Sequence, residues 1–140
     1  MPNTKSLVFH HMGLLTDEPE LAALRLQQAG YCLGPQVFDP LQLASLRMCE
    51  GPADSASIEL VTPHANNTSL RRLLERRGDY MYHICFAVST FTAGLAQLSL
   101  GTDDRIVVLS EPKPALLFDN ALVAFYVVPG LGLVELLECL

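Results

Sequence analysis

Two short patterns occur twice in the chain, in the same order and at nearly the same separation. Phe9-His10-His11-Met12-Gly13 returns as Met81-Tyr82-His83-Ile84-Cys85, and Ser57-Ile58-Glu59-Leu60-Val61 returns as Leu133-Val134-Glu135-Leu136-Leu137. Both repeats are spaced by about half the chain, so two related supersecondary units are expected. Each motif lies in an apolar, strand-like run, where an imidazole or carboxylate needs a partner. One His and one Glu per half make four candidate ligands for a divalent metal: His11, Glu59, His83 and Glu135. Nitrogen and carboxylate donors without thiolate suit Mn, Fe, Co, Ni or Zn, and ligand type does not choose among them.

The intervening segments follow one plan in both halves. Residues 6–15 predict a strand with Leu7, Phe9, His11 and Gly13 on one face. Asp17 and Glu20, with Pro19 in the first turn, predict a capped helix ending at Gly30. Strands are expected over Tyr31–Phe38, Leu43–Cys49 and Ser57–Thr62. In the second half a strand is expected over Tyr80–Val88. A helix capped by Ser89 or Thr90 follows, with Phe91, Leu95 and Leu98 on one face, running up to Gly101. Further strands are expected over Arg105–Leu109, Leu122–Val128 and Gly132–Cys139. Residues 67–77 read as a connecting helix. The plan is α+β: a single domain over 1–140, with one βαβββ module over about 6–63, the linker helix over about 67–77, and a second module over about 80–139, related by pseudo-twofold symmetry.

Composition excludes several classes. Half of the 140 residues are hydrophobic and only 17% are charged, which suits a packed core rather than disorder. The net charge of −6 argues against a nucleic-acid partner, because phosphate contacts need a basic surface. No apolar run reaches membrane-spanning length, and Met1 to Ser6 lack the apolar stretch of a secretory signal, so a cytoplasmic protein without membrane partners is expected. The cysteines Cys32, Cys49, Cys85 and Cys139 show no paired spacing and read as reduced, half-buried core residues. His10 and His64 read as ordinary hydrogen-bonded residues, His64 in a polar loop. Arg71, Arg72, Arg76 and Arg77 read either as a solvated helix face or as a contact for an anionic group. Leu46, Met48 and Phe118 either line an apolar pocket or fill core.

His10-His11-Met12-Gly13, Ile58-Glu59-Leu60-Val61-Thr62-Pro63, Asn67-Thr68-Ser69-Leu70, Tyr82-His83-Ile84-Cys85-Phe86, Glu111-Pro112-Lys113 and Leu133-Val134-Glu135-Leu136 occur in that order along nearly the whole chain. On these residues the chain resembles the vicinal oxygen chelate superfamily of glyoxalases, bleomycin-resistance proteins and dioxygenases, and within it is most similar to the methylmalonyl-CoA epimerases. The resemblance implies a curved mixed sheet of two βαβββ modules around a metal or ligand cleft. It places His11, His83, Glu135 and Glu59 at ligand positions and implies a small-molecule substrate and a homodimer. The chain also departs from the epimerase pattern. Alignment on Pro40 and Gln42 puts Leu46 where a second carboxylate base is expected. Glu50 shares that strand parity but lies roughly 13 Å further along an extended strand. Pro114 to Asn120 replaces a glycine-rich stretch, and Val127-Val128-Pro129-Gly130 replaces a His-Pro-Lys segment.

These features imply a metal-dependent isomerase or lyase of the epimerase/glyoxalase type. It would abstract an α-proton from a carbonyl or thioester substrate and stabilise the resulting enolate. The departure at Leu46 argues against a two-base epimerase and leaves one-base chemistry open, with Glu135 as the first candidate base and Glu59 the second. The alternatives are a non-catalytic, resistance-type small-molecule binder of the same fold and an accessory subunit with vestigial ligands.

Overall fold

The structure, a computed structural model, describes residues 6–140. The expectation that the N-terminal segment carries no secretory signal falls largely on residues 1–5, outside the described residues. The elements, in chain order, are β1 (Leu7–Leu15), α1 (Pro19–Gln28), β2 (Cys32–Asp39), β3 (Ala44–Glu50), β4 (Ser57–Pro63), α2 (Thr68–Arg77), β5 (Tyr80–Val88), α3 (Phe91–Leu98), β6 (Val107–Val108), β7 (Lys113–Ala115), a single 3₁₀ turn (Leu116–Phe118), β8 (Ala121–Val128) and β9 (Gly132–Glu138).

All the strands belong to one curved mixed sheet in the order β2-β3-β4-β1-β5-β9-β8-β6, with β7 also paired to β8. The two halves join into this single curved sheet, as the resemblance implies, because their first strands pair directly. β1 runs antiparallel to β5 at the centre, and each carries a parallel partner, β4 beside β1 and β9 beside β5. The halves match in register as well as in order. Gly13 lies opposite Glu59, and Cys85 lies opposite Glu135.

The two faces of the sheet are covered differently. On one, Ala23 and Leu26 of α1 pack on Ile58 and Leu60, while Phe91 and Leu95 of α3 pack on Val88, Tyr126 and Leu136. On the other, Leu70, Leu73 and Leu74 of α2 cover Leu15, Leu46 and Val61. Caps account for the starts of α2 and α3: Asn67 accepts from the Leu70 backbone N–H and Thr90 from that of Ala93. α1 differs from expectation. The residue before it, Glu18, makes no side-chain cap bond, and Asp17 instead pairs with Arg71 at 2.7 Å, tying α1 to α2. Arg71 also donates to the Pro63 carbonyl, so this member of the arginine cluster is tied to the fold rather than simply solvated. The second half diverges most after α3. The strand expected over Arg105–Leu109 shrinks to Val107–Val108, and β7 with the 3₁₀ turn forms where none was expected. Asp119 and Asn120 at the exit of that turn adopt left-handed backbone, which their short polar side chains tolerate. Of the cysteines, all free, Cys49 and Cys85 are buried as expected, whereas Cys32 and Cys139 are exposed.

Candidate metal centre

The four ligand candidates meet on the face of the sheet covered by α2. His11 comes from β1, His83 from β5, Glu59 from β4 and Glu135 from β9, and one donor atom of each lies within 4.8 Å of all the others. None is more than 3% exposed. His11 Nε2 stands 3.4 Å from His83 Nε2, 3.6 Å from a Glu59 oxygen and 3.3 Å from Glu135 Oε1. His83 Nε2 is 3.7 Å from the same Glu59 oxygen and 3.5 Å from Glu135 Oε1.

These spacings are long for hydrogen bonds and short for mutually indifferent buried groups. Donors held about 2.1 Å from a shared centre in a tetrahedral array lie about 3.4 Å apart, the edge length seen here. Glu135 Oε1 and His83 Nδ1 are buried without a hydrogen-bond partner. A buried carboxylate oxygen left in that state is costly unless a cation satisfies it. The donor set therefore fits a first-row divalent ion.

Electrostatics agree with the geometry. Burial lowers the affinity of His11 for its proton, but Glu135 and then Glu59 outweigh it, and the imidazole is pushed up to about 9. Burial raises Glu135, yet His11 and His83 hold its carboxyl far below the usual carboxylate range. The thiol of Cys85, buried and facing the Glu135 charge, is pushed far up and stays protonated.

Two irregularities aim the histidines. Along the β1–β5 ladder Phe9 pairs with Phe86 and His11 with Cys85, leaving His10 as an extra residue. Further along, Gly13 pairs with His83 and Leu14 with Met81, leaving Tyr82 extra. Each bulge immediately precedes a candidate ligand, one per half, and bulges commonly re-aim side chains in this way. Strict alternation, which would place Phe9 and His11 in register and His10 on the far face, is thereby broken. The His10 ring sits against His11, with the two Nδ1 atoms 2.8 Å apart. Tyr82 occupies the equivalent place beside His83, ring centroids 4.6 Å apart. His10 is lowered by burial and then by the neighbouring His11.

Gly13 is a further site residue that periodicity alone does not reveal. A Cβ there would fall 2.1 Å from His83 Cε1 and 2.3 Å from His83 Nδ1. A glycine inside a strand pattern is the sequence signal for such close approach. Phe118, from the 3₁₀ turn, stacks on the His11 ring at 5.5 Å and 25° and packs edge-on against His10. Leu117 reaches the core around Leu46, which is fully buried. The position corresponding to a second base is thus apolar and buried. Met48, Glu50 and Phe118 line a groove that also contains His10, away from the Leu46 core. His64 lies, as expected, in a loop, where its Nδ1 accepts from the Asn66 backbone N–H. A cavity of about 370 Å³ opens on the His83 side, with Tyr82, Phe125 and Leu133 on its wall and Ser110 and Lys113 among its polar groups.

Comparison with known proteins places this architecture. The family model described as the glyoxalase/bleomycin resistance protein/dioxygenase superfamily matches residues 10–125. The chain belongs to that superfamily. No curated protein matches it. Among solved structures it is similar to methylmalonyl-CoA epimerase from Mycobacterium tuberculosis, at 20% identity and a TM-score of 0.77, covering 98% of this chain and 91% of the other. It is similar to a hypothetical protein from Bacillus halodurans at 19% identity and a TM-score of 0.76, with 97% and 96% covered. A Streptomyces coelicolor methylmalonyl-CoA epimerase variant in complex with 2-nitronate-propionyl-CoA gives 18% identity and a TM-score of 0.70, with 94% and 97% covered. At these identities the likeness concerns the fold.

Proposed function

We propose that this superfamily member is a metal-dependent enzyme of the epimerase/glyoxalase type that abstracts an α-proton from a small carbonyl or thioester compound. The observation that carries this reading is the convergence of four buried donors, a His and a Glu from each half, with Glu135 Oε1 left without a hydrogen-bond partner. His11, Glu59, His83 and Glu135 would hold the ion. When bound, a divalent ion supplies Lewis-acid polarisation of a substrate carbonyl oxygen. The remaining work falls to the chain's own side chains. Glu135 is the first candidate to take the proton, on its carboxylate oxygen, and Glu59 the second. A ligating carboxylate stays ionised, as a base must be, but its basicity is weakened, so Glu135 would need to loosen from the ion-binding array to take the proton. Leu46, apolar and fully buried, supports one-base chemistry over a two-base epimerisation.

The cavity beside His83 suits a small substrate. Its wall is largely apolar, and Lys113, the only lysine among the described residues, offers a positive charge to a carboxylate. No helix among the described residues is long and apolar enough to cross a membrane. A cytoplasmic homodimer belongs to the same proposal: β2 and β6 end the sheet as edge strands, and Val107 and Val108 on β6 are exposed. The covering of His11 by Phe118 favours, as a second reading, a non-catalytic small-molecule binder.

Metal analysis of purified protein beside His83→Ala tests the proposal. About one divalent ion per chain, lost in the variant, is expected. Co-, Ni- or Mn-loaded protein should then exchange the α-proton of acyl thioesters or 2-oxoaldehyde adducts with deuterium. Failure to take up any ion on titration would overturn the enzyme reading, and uptake without exchange on either substrate class would favour the binder.

A further inference from the structure

His11 presents both ring nitrogens to partners, and the two environments differ. Nε2 faces Glu59, Glu135 and His83, while Nδ1 faces His10 Nδ1 at 2.8 Å. Two nitrogens at that distance share one proton, because two lone pairs would repel and two N–H groups would collide. The direction of donation follows from what each ring must do elsewhere. A His that offers an Nε2 lone pair to a cation carries its proton on Nδ1. His11 is therefore the donor and His10 the acceptor, with His10 holding its own proton on Nε2. If His11 is instead fully protonated, its Nδ1–H still donates to His10, so the direction is the same in both states.

We propose that His10 is a positioning residue: its Nδ1 accepts the Nδ1–H of His11, fixing the tautomer and ring orientation that present His11 Nε2 to the four-donor site. The metal part of this inference rests on the ligand reading of His11 above; the hydrogen bond does not. Local structure supports it. Alternation along a regular strand would send His10 to the opposite face, and the bulge at His10 is what brings the two rings to one side. Phe118 packs edge-on against His10 and stacks on His11, holding the pair from a third direction. In the other half Tyr82 takes the place of His10, and His83 Nδ1 has no partner. The two imidazoles are therefore supported unequally, and only His11 has its tautomer specified by another side chain.

A second ion shared by His10, His11 and Cys85, whose donor atoms also cluster within 4.8 Å, is the competing account. The 2.8 Å separation is shorter than the roughly 3.4 Å edge between donors about 2.1 Å from a shared ion.

Two measurements test the inference on the full chain. In ¹⁵N-labelled, metal-free protein, a scalar coupling across the hydrogen bond should link the Nδ1 nuclei of His10 and His11, with the proton assigned to His11. Absence of the coupling, or assignment of the proton to His10, overturns the proposal whether or not the protein binds metal. Cobalt(II) titration then compares His10→Phe, which keeps a ring against Phe118 but has no acceptor, with His10→Asn, whose Oδ1 can occupy the place of Nδ1. The expected result is a 10- to 100-fold loss of affinity in His10→Phe, in the range typical of lost ligand-supporting hydrogen bonds, and recovery to within a few-fold in His10→Asn. Equal affinity in His10→Phe and the unsubstituted protein overturns the role toward the ion. If the unsubstituted protein takes up no cobalt, the ligand reading fails, and the coupling still decides the hydrogen bond.

Discussion

Gly13→Ala adds one methyl group where the structure leaves no room for it. The new Cβ would lie 2.1 Å from His83 Cε1, 2.3 Å from Nδ1 and 2.7 Å from Nε2. Ordinary carbon contacts begin near 3.5 Å, so the imidazole must withdraw by more than about 1 Å. A metal site tolerates donor displacements of only about 0.2 Å. His83 is held between Tyr82 and Phe125, at centroid distances of 4.6 and 5.6 Å, so the ring can leave only by swinging out of the four-donor array. Because a side chain rather than backbone must give way, the stability cost should stay within the ~1–3 kcal/mol typical of overpacking. Loss of one donor in four should lower cobalt or zinc affinity by at least about 100-fold, more than loss of a hydrogen bond that merely supports a ligand. Calorimetric titration gives the affinity and scanning calorimetry the stability. Gly94→Ala is the matched control: its Cβ would meet Val88 Cγ1 at 2.4 Å under α3, on the opposite face of the sheet. It should destabilise comparably and leave ion affinity unchanged. Wild-type affinity in Gly13→Ala, or equal losses in both variants, would refute the account of Gly13 as the space that seats His83.

The other expectations concern the charges and the cover. Glu135→Gln should reduce α-proton exchange by 10²–10⁴, the range for a general base, and Glu59→Gln by less at equal metal loading; the reverse ranking in deuterium exchange would reassign the base. In metal-free protein His11 is raised from 6.5 to about 9, so its stabilising charge is complete below about 6.5 and lost as pH rises through about 9. The thermal midpoint should fall across that window. Ion affinity should rise over the same window because the proton competes for Nε2, and calorimetry at several pH values checks both signs. Leu46→Glu should destabilise by at least about 3 kcal/mol in urea unfolding, since the new carboxylate would sit unpaired in the core formed by Leu15, Ala44 and Val61.

What the sequence discloses here depends on whether a feature is written in a single strand. The paired motifs around His11, Glu59, His83 and Glu135 are local and repeated, so the strands bearing them could be expected from spacing, and their convergence from pseudo-twofold pairing of the two halves. The bulges at His10 and Tyr82 arise from how β1 and β5 pair, and no Gly or Pro marks either position. Simple alternation therefore misplaces His10, which becomes the neighbour of a candidate ligand. Gly13 was visible as a glycine inside a strand, but its purpose depends on His83 in the other half. The segment after α3 carries the weakest local signal. Its short strands borrow their pairing from β8, and the placement of Leu117 and Phe118 over the first half is set by tertiary contact rather than local propensity. Asp39 illustrates this: buried at the end of β2, it accepts from the backbone N–H of Leu116 at 3.1 Å, fastening that segment across the molecule.

The β1–β5 seam joins two wings of the sheet, and both bulges lie within it. Each wing brings one imidazole and one carboxylate, so the spacing of the four donors and the curl of the sheet are two measures of a single mechanical coordinate. Flattening the seam would spread the donors, and drawing the donors together would curl the wings. An ion seated there would act as a rivet between halves of the chain rather than as a clip on one loop. Its removal should therefore register as softened amide-exchange protection along β1 and β5, across the centre of the molecule.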